Sequence, residues 1–479
     1  MGCKLQLFRL ILAFKQALSI ECKKNFCFFK KNAPYSTLST ILCSNIALPN
    51  GQLMKFATLY IYLTLFFNLT IFFIGCKTKD EPINNNLLLL EGRWRATLKL
   101  NEFEELPFNF DLKYANKTYT MTLINGSERI PVKDFTFDGD SVFIKLPVYN
   151  SELRGKFNQR RILGVWNNYS SKTDRQVPFY AVYGDSSRFV VNIIDSIPNI
   201  NGRWEVSFIS ADKTSRSDAI GEFRQNGEHL EATFLTPTGD YRYLEGRVGD
   251  RDIMLSSFDG ANAYLFLATI DDFGDLNGDF YSGESGHDIW LGFRNDTISL
   301  PNAEKLTQLK DPSKRKINFT FSDLDGKNVS LSDPIFQNKT VIVQIMGSWC
   351  PNCMDETRFL TDLYKKYHSE GLEIVALAFE TSNDLAQARP QLMHFKKSMG
   401  VEYPILLAGK NSKADASKAL DMLKEVKAFP TMLVIDRQGY VRKIHTGFSG
   451  PATSEYKRFV TNFSGFIEAL LNEKGQSNL

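Results

Sequence analysis

Cysteine, histidine and charge of one sign are all scarce in this sequence, and each scarcity removes a class of function. The 479 residues hold seven cysteines and five histidines, and the formal net charge is only +3. His229, His287, His368, His394 and His445 are scattered without ligand spacing, so no metal site is expected. Lysine and arginine are spread along the chain rather than gathered into a stripe, which argues against nucleic acid as a partner. A single hydrophobic core stops growing near about 250 to 300 residues, and with 43% hydrophobic content this chain is expected to form two or three domains.

The one long apolar run lies near the front. Met54-Lys55 is followed by an uncharged stretch from Phe56 to Ile74 and then by Gly75-Cys76. That is the order of an export signal: a positive n-region, an h-region, and a small residue before a cysteine. The run is also long enough for a membrane-spanning helix. Ile74-Gly75-Cys76 resembles a bacterial lipobox, with Phe73 where Leu is usual. The resemblance implies that 54–76 is a lipoprotein signal peptide and that Cys76 is lipidated and becomes the new N-terminus. Residues 1–53 are then expected to be an upstream extension read from a start codon placed too early. Residues 77–90, with the run Lys77-Thr78-Lys79-Asp80-Glu81, are expected to be a flexible tether. A lipid anchor and an uncleaved helix both put the remainder in the cell envelope, periplasmic or outer-membrane-associated. Setting aside Cys3, Cys22, Cys27 and Cys43 leaves Cys76 for lipid and the pair Cys350 and Cys353. One bridge closing so small a loop does not staple a fold, so the pair is expected to be reactive.

Helical periodicity is missing from Leu87 to about Asn295. Short alternating runs such as Thr118-Tyr119-Thr120-Met121-Thr122-Leu123 and Ser141-Val142-Phe143-Ile144-Lys145-Leu146 are bounded by Gly, Asn and Asp, the pattern of antiparallel β structure. Gly92-Arg93-Trp94 recurs as Gly202-Arg203-Trp204, which predicts two tandem all-β units, 91–200 and 201–296, each a barrel or sandwich. The Gly-x-Trp resembles that of lipocalin-like barrels. Trp94 and Trp204 are expected to plug the barrels rather than line ligand cavities, because small barrels are filled by their own side chains. Residues 297–316, with Pro301, Pro312 and Lys314-Arg315-Lys316, read as a linker.

From 317 to 475 buried runs alternate with amphipathic stretches: Val341 to Met346, then apolar positions from Phe359 to Tyr367, then Ile374 to Phe379. This predicts an α/β domain. Further helices are expected near Leu385 to Ser398, Ala414 to Leu423 and Tyr456 to Leu471, with a hairpin at Arg437-Gln438-Gly439.

Trp349-Cys350-Pro351-Asn352-Cys353 falls where a buried strand gives way to a helix. A thiolate attacks a disulfide, whereas a free cysteine of pKa about 8.5 is mostly protonated. Unpaired amides and the dipole at a helix N-terminus favour the negative sulfur, and Pro351 suits the first turn. Two intervening residues let Cys353 reach back and resolve a mixed disulfide at Cys350. A zinc site lacks a second cysteine pair, a c-type haem site lacks histidine at Met354, and a structural bridge here gains little.

The Asp325-Gly326-Lys327 turn, Trp349-Cys350-Pro351-Asn352-Cys353, Glu356, Glu380 and Phe429-Pro430-Thr431 occur in the order of the thioredoxin superfamily. Among its members this stretch resembles the TlpA/ResA-like thiol-disulfide oxidoreductases of the Redoxin/AhpC-TSA type. The resemblance implies that Cys350 is the nucleophile and Cys353 the resolving cysteine. It also implies that Pro430 is a cis-proline, with Trp349, Pro351, Phe429 and Thr431 completing a substrate groove. Gln344 stands where thioredoxins carry a proton-transferring Asp, and the resemblance offers Glu380 in that role. Arg358 replaces the proline usual in the first active-site helix. The stretch 382–425 is expected to be an insertion framing the groove.

The function expected is therefore a membrane-anchored reductase of envelope proteins, acting in cell redox homeostasis. It would need no cofactor beyond the Cys350–Cys353 disulfide, and its implied partners are protein thiols and disulfides and a DsbD- or CcdA-type membrane electron donor. The alternatives are a peroxiredoxin-like peroxidase, disfavoured by the absence of a Pro-x-x-x-Thr-x-x-Cys arrangement, and an envelope binding protein in which the β units carry the main function.

Overall fold

The computed structural model describes residues 88–170, 176–193 and 196–473. The expected signal segment, Cys76 and the tether up to residue 87 lie outside the described residues. Among the described residues no helix is long and apolar enough to cross a membrane.

The first sheet has nine antiparallel strands: β1 (Gly92–Lys99), β2 (Glu105–Ala115), β3 (Thr118–Asn125), β4 (Glu128–Val132), β5 (Asp134–Asp138), β6 (Ser141–Lys145), β7 (Ser151–Asn158), β8 (Arg161–Asn168) and β9 (Gln176–Tyr183). Successive strands are neighbours, β1 closes onto β9, and β4 and β5 form the two edges. Alternation decides which face is buried. In β1, Trp94, Ala96 and Leu98 are sealed in the core, while Arg93 and Lys99 lie on the other face.

The second sheet closes completely. It comprises β10 (Gly202–Ser210), β11 (Arg216–Asn226), β12 (His229–Thr236), the two-residue β13 (Gly239–Asp240), β14 (Leu244–Val248), β15 (Asp252–Phe258), β16 (Ala263–Ile270), β17 (Leu276–Ser282) and β18 (Gly286–Arg294). β10 pairs with both β11 and β18, and β11 also pairs with β12, so no edge remains open in the ring. Its interior is filled by rings: Phe266 stacks on Phe280 at 4.3 Å and on Phe234 at 4.7 Å, and Trp290 meets Phe234 at 5.5 Å. Trp204 is buried there as expected, and packed aromatics occupy the centre where a ligand would otherwise sit.

The two Gly-Arg-Trp motifs adopt one geometry. Gly92 and Gly202 have φ of +124° and +112°, values that favour glycine. Each following Trp donates its indole N–H to the carbonyl four residues upstream, Trp94 to Leu90 at 2.9 Å and Trp204 to Ile200 at 3.0 Å. Each Arg pairs with an acid directly across the next strand, Arg93 with Asp111 and Arg203 with Glu222.

The two sheets are welded together. Phe258 of β15 stacks on Phe108 at 4.4 Å and meets Trp166 edge-on at 5.2 Å, inside the core of the first sheet. The buried Arg188 donates to Ser256 O at 2.8 Å and to Ile124 O, so its guanidinium serves carbonyls of both sheets.

The third sheet has the order β20-β19-β23-β22-β21-β24-β25, from β19 (Thr320–Asp323), β20 (Asn328–Ser330), β21 (Thr340–Met346), β22 (Leu372–Glu380), β23 (Ile405–Lys410), β24 (Thr431–Ile435) and β25 (Val441–Thr446). β21, β22 and β23 are parallel, and every residue of β21 and β22 is buried, as strands covered on both faces require. Helices α1 (Pro351–Tyr367), α2 (Leu385–Met399) and α4 (Tyr456–Asn472) share one core with the sheet, and α3 (Lys413–Ala419) lies in the other.

Three local expectations are refined. α3 stops at Ala419 rather than Leu423, because Leu420 turns away at φ −117°, ψ 62° and Leu423 bridges to Leu309. The 382–425 stretch supplies the interior strand β23, and α2 within it reaches the loop between β6 and β7, Gln391 donating to Val148 O at 2.8 Å. The 297–316 stretch is fastened along the third sheet: Thr307 N donates to Thr446 Oγ1 at 3.2 Å, and Lys316 bridges to Tyr440.

Candidate functional site

β21 delivers the chain to Gly347-Ser348-Trp349, and α1 begins immediately after Cys350. Cys350 is the N-cap, with extended backbone and its Sγ accepting the Cys353 amide at 3.2 Å. A cap normally uses oxygen here; a sulfur in that place gains the same amide donor, which favours its anionic form once the bridge is open. The two cysteines are joined as a disulfide with Cα atoms 5.2 Å apart. Cys353 is fully buried and Cys350 only 5% exposed, so the reachable sulfur is the one at the cap.

The Phe429–Pro430 bond is cis, and it brings the Phe429 carbonyl oxygen to 3.6 Å from Cys350 Sγ. Thr431 opens β24 beside Ile345 of β21 and donates to Ala428 O at 2.8 Å, which fixes the turn from below. Trp349 donates its indole N–H to Phe379 O at 2.8 Å and packs edge-on against Phe429 at 5.5 Å. Trp349, Pro351, Phe429, Pro430 and Thr431 thus converge on the cysteine pair.

Two buried carboxyls flank the pair. Glu380, at the end of β22, accepts Ser348 N at 2.8 Å and Ser348 Oγ at 2.9 Å. Burial pushes it up to about 7, opposed by these two donors. Glu356, one turn beyond Cys353 and fully buried, accepts from Gln344 Nε2 at 2.9 Å; the same amide also reaches Thr357 Oγ1 at 3.0 Å. Burial holds Glu356 well above the usual carboxylate range. Gln344 cannot carry a proton itself, but it orients a helix carboxyl that can.

The residues least legible beforehand come from the second sheet. Arg242 donates to Asp355 Oδ2 of α1 at 2.5 Å, to Pro351 O at 3.2 Å, and to Glu128 of the first sheet. Asp240 accepts Gly450 N at 2.5 Å and Arg242 N at 2.6 Å. Burial first, and the neighbouring Asp355 second, push Asp240 up to about 7. Gly239 sits so close to Asn352 that a Cβ there would lie 2.0 Å from Asn352 Nδ2. No local motif marks these residues; positive φ at Arg242 (58°) is visible only in three dimensions. Among the described residues no group of three or more His, Cys, Asp or Glu side chains is arranged to hold a metal ion.

A parallel-centred sheet, a Cys-x-x-Cys pair at a helix N-cap and a facing cis-proline define a thioredoxin-like redox domain. The Redoxin family model matches residues 310–459. The thiol-disulfide oxidoreductase ResA of Bacillus subtilis is 32% identical over 130 residues, which are 27% of this chain and 64% of the relative. The ResA of Bacillus cereus is 31% identical over 162 residues, 33% of this chain and 78% of the relative. A solved thiol:disulfide interchange protein of the thioredoxin family from Chlorobium tepidum is 22% identical, matching 33% of this chain and 95% of its own, with a TM-score of 0.26. The chain belongs, through its C-terminal third, to the Redoxin family that includes the ResA thiol-disulfide oxidoreductases. It spans 64% of the length of the Bacillus subtilis relative, and the first two β sheets lie outside the matched segment.

Proposed function

We propose that this protein is an envelope-located thiol-disulfide oxidoreductase that reduces disulfides in other proteins. The observation that carries the reading is the Cys350 sulfur, capped by the Cys353 amide and facing the cis-proline turn. In the dithiol form, Cys350 thiolate attacks a substrate disulfide, forming a mixed S–S bond and releasing one substrate thiolate. Cys353 then gives up its proton and attacks Cys350, releasing the second substrate thiol and restoring the bridge. Two electrons pass to the substrate. A carboxyl titrating near 7, as Glu380 does, is present in both forms at neutral pH and can accept and return that proton.

A lipid anchor at Cys76, after a signal peptide at 54–76, would hold the protein at the membrane, where a DsbD- or CcdA-type donor could re-reduce it. The matched Gly-Arg-Trp geometry supports reading 91–200 and 201–296 as tandem β units that precede the redox domain at 317–475. Direction depends on poise: a couple near about −270 mV reduces where one near about −120 mV oxidises. The test is substrate trapping in cells with Cys353→Ala, which should accumulate mixed disulfides at Cys350, alongside Cys350→Ser, which should accumulate none. Equal yields from the two variants would reject the assignment, and a measured potential near the oxidising end would reverse the direction.

A further inference from the structure

A cavity of about 830 Å³ lies between the redox domain and the closed β10–β18 barrel, bounded on one side by Asn352 and by Phe429, whose carbonyl is 3.6 Å from Cys350 Sγ, and on the other by the mouth of the barrel. That volume is in the range that holds a bound ligand, roughly 300 to 1,000 Å³. The barrel wall is fixed in place by Arg242 on Asp355 and Pro351 O, by Asp240 on Gly450 N, and by Glu222 accepting Ser454 N at 2.8 Å. The cleft is therefore built jointly by the barrel and the redox domain.

Its lining is one-sided in chemistry. Glu205 and Asp218 contribute carboxylates, Asp240 a buried carboxyl whose oxygens are taken by the amides of Gly450 and Arg242, Tyr241 and Tyr264 contribute rings, and no lysine or arginine is among the described residues that line it. The exposed Asp218 pairs with Arg216 at 3.0 Å through Oδ1, leaving Oδ2 without a partner among the described residues, and Asn295 donates to Glu205 Oε2 at 3.1 Å. Asn352 Oδ1, between the two cysteines in sequence, is buried with no hydrogen-bond partner. Carboxylates, aromatic faces and an unfilled acceptor call for an occupant rich in donors and positive charge.

We propose that this cleft seats the substrate, and that the barrel selects an extended polypeptide segment in which the target disulfide is flanked by lysine or arginine. The idea rests on the redox assignment above and adds a substrate class to it. The chemistry is unchanged: Cys350 thiolate takes one sulfur of the peptide, Cys353 displaces it, and the peptide leaves with two electrons and two protons. What the barrel adds is attraction for the cationic flanks.

The test uses the full-length protein in its dithiol form, mixed with two short peptides that differ only in having lysines or glutamates around an internal disulfide. The uncharged 2-hydroxyethyl disulfide is the reference. At low ionic strength the lysine peptide should react about tenfold faster than the glutamate peptide, and the ratio should collapse toward one in about 0.5 M salt. In Glu205→Gln/Asp218→Asn, with each peptide rate divided by that variant's own reference rate, the ratio should fall to about two. A ratio near one in the unaltered protein, or one that neither salt nor the double substitution moves, overturns the proposal. The wild-type salt series decides alone if the double variant does not fold. Failure to reduce even the reference disulfide would instead reject the underlying redox assignment.

Discussion

The carboxyl of Glu380 gives a measurable signature. It is almost wholly buried and accepts two hydrogen bonds from Ser348, yet burial still lifts it from 4.5 to about 7. Between those values the folded protein holds a proton that the unfolded chain has released, so stability falls as pH rises. The loss begins near pH 4.5 and is complete once pH has passed about 7. Each tenfold change in proton affinity is worth about 1.4 kcal/mol, so the rise as a whole corresponds to about 3 kcal/mol. Glu380→Gln keeps the shape and an acceptor for Ser348 but has no proton to lose. Urea unfolding of both proteins between pH 4.5 and 8, followed by circular dichroism and tryptophan fluorescence, should show the variant gaining about 3 kcal/mol relative to the parent across that window. Asp240 and Glu356, also raised, titrate in both proteins and cancel in the difference. A difference that stays level with pH would refute the account of Glu380 as a buried, protonatable group. The exchange rate of Glu380→Gln should also lose any inflection near pH 7.

Phe258→Ala removes the ring that joins the two β sheets through Phe108 and Trp166; chemical denaturation should record a loss of about 3 to 5 kcal/mol, and a loss under about 1 kcal/mol would mean the sheets are not welded there. Arg242→Met leaves Glu128 buried without its counter-ion and Asp355 paired with Arg358 alone; the expected cost is about 3 to 5 kcal/mol, partly recovered by Arg242→Lys, and equal stability of the Met and Lys variants would count against an ionic role. His445 is driven down to about 4 by burial. Its folded form therefore sheds the proton that the unfolded chain takes up below about 6.5, and stability falls by up to about 3 kcal/mol as pH drops from 6.5 through 4. His445→Gln should flatten that acid limb in the same urea series.

What could be read from the linear sequence is what local physics writes there. Period-two alternation announces the strands of both β sheets, and the fully buried runs announce β21 and β22, because a strand's environment is printed every second residue. Trp349-Cys350-Pro351-Asn352-Cys353 is legible for the same reason: N-cap, first-turn proline and resolving cysteine all lie within one helical turn. The sequence separation of the partners explains what is hidden. Arg242 meets Asp355 across 113 residues, Asp240 meets Gly450 across 210, and Glu222 meets Ser454 across 232. No periodicity spans such distances. The apolar Leu423 falls at helical spacing and so extends the expected α3, yet in the fold it serves a bridge to Leu309 instead.

The same separation bears on why the β sheets accompany the redox domain at all. Arg242 is nearly inaccessible and its charge is met by carboxylates from all three sheet systems, Glu128, Asp259 and Asp355. A guanidinium that far from water is costly unless each of its partners is in place, so the first sheet, the barrel and α1 must be assembled together for it to be satisfied. Pro351 O, in the first turn of the redox helix, is among its acceptors. The turn that holds Cys350 at its cap is thus braced from outside its own domain.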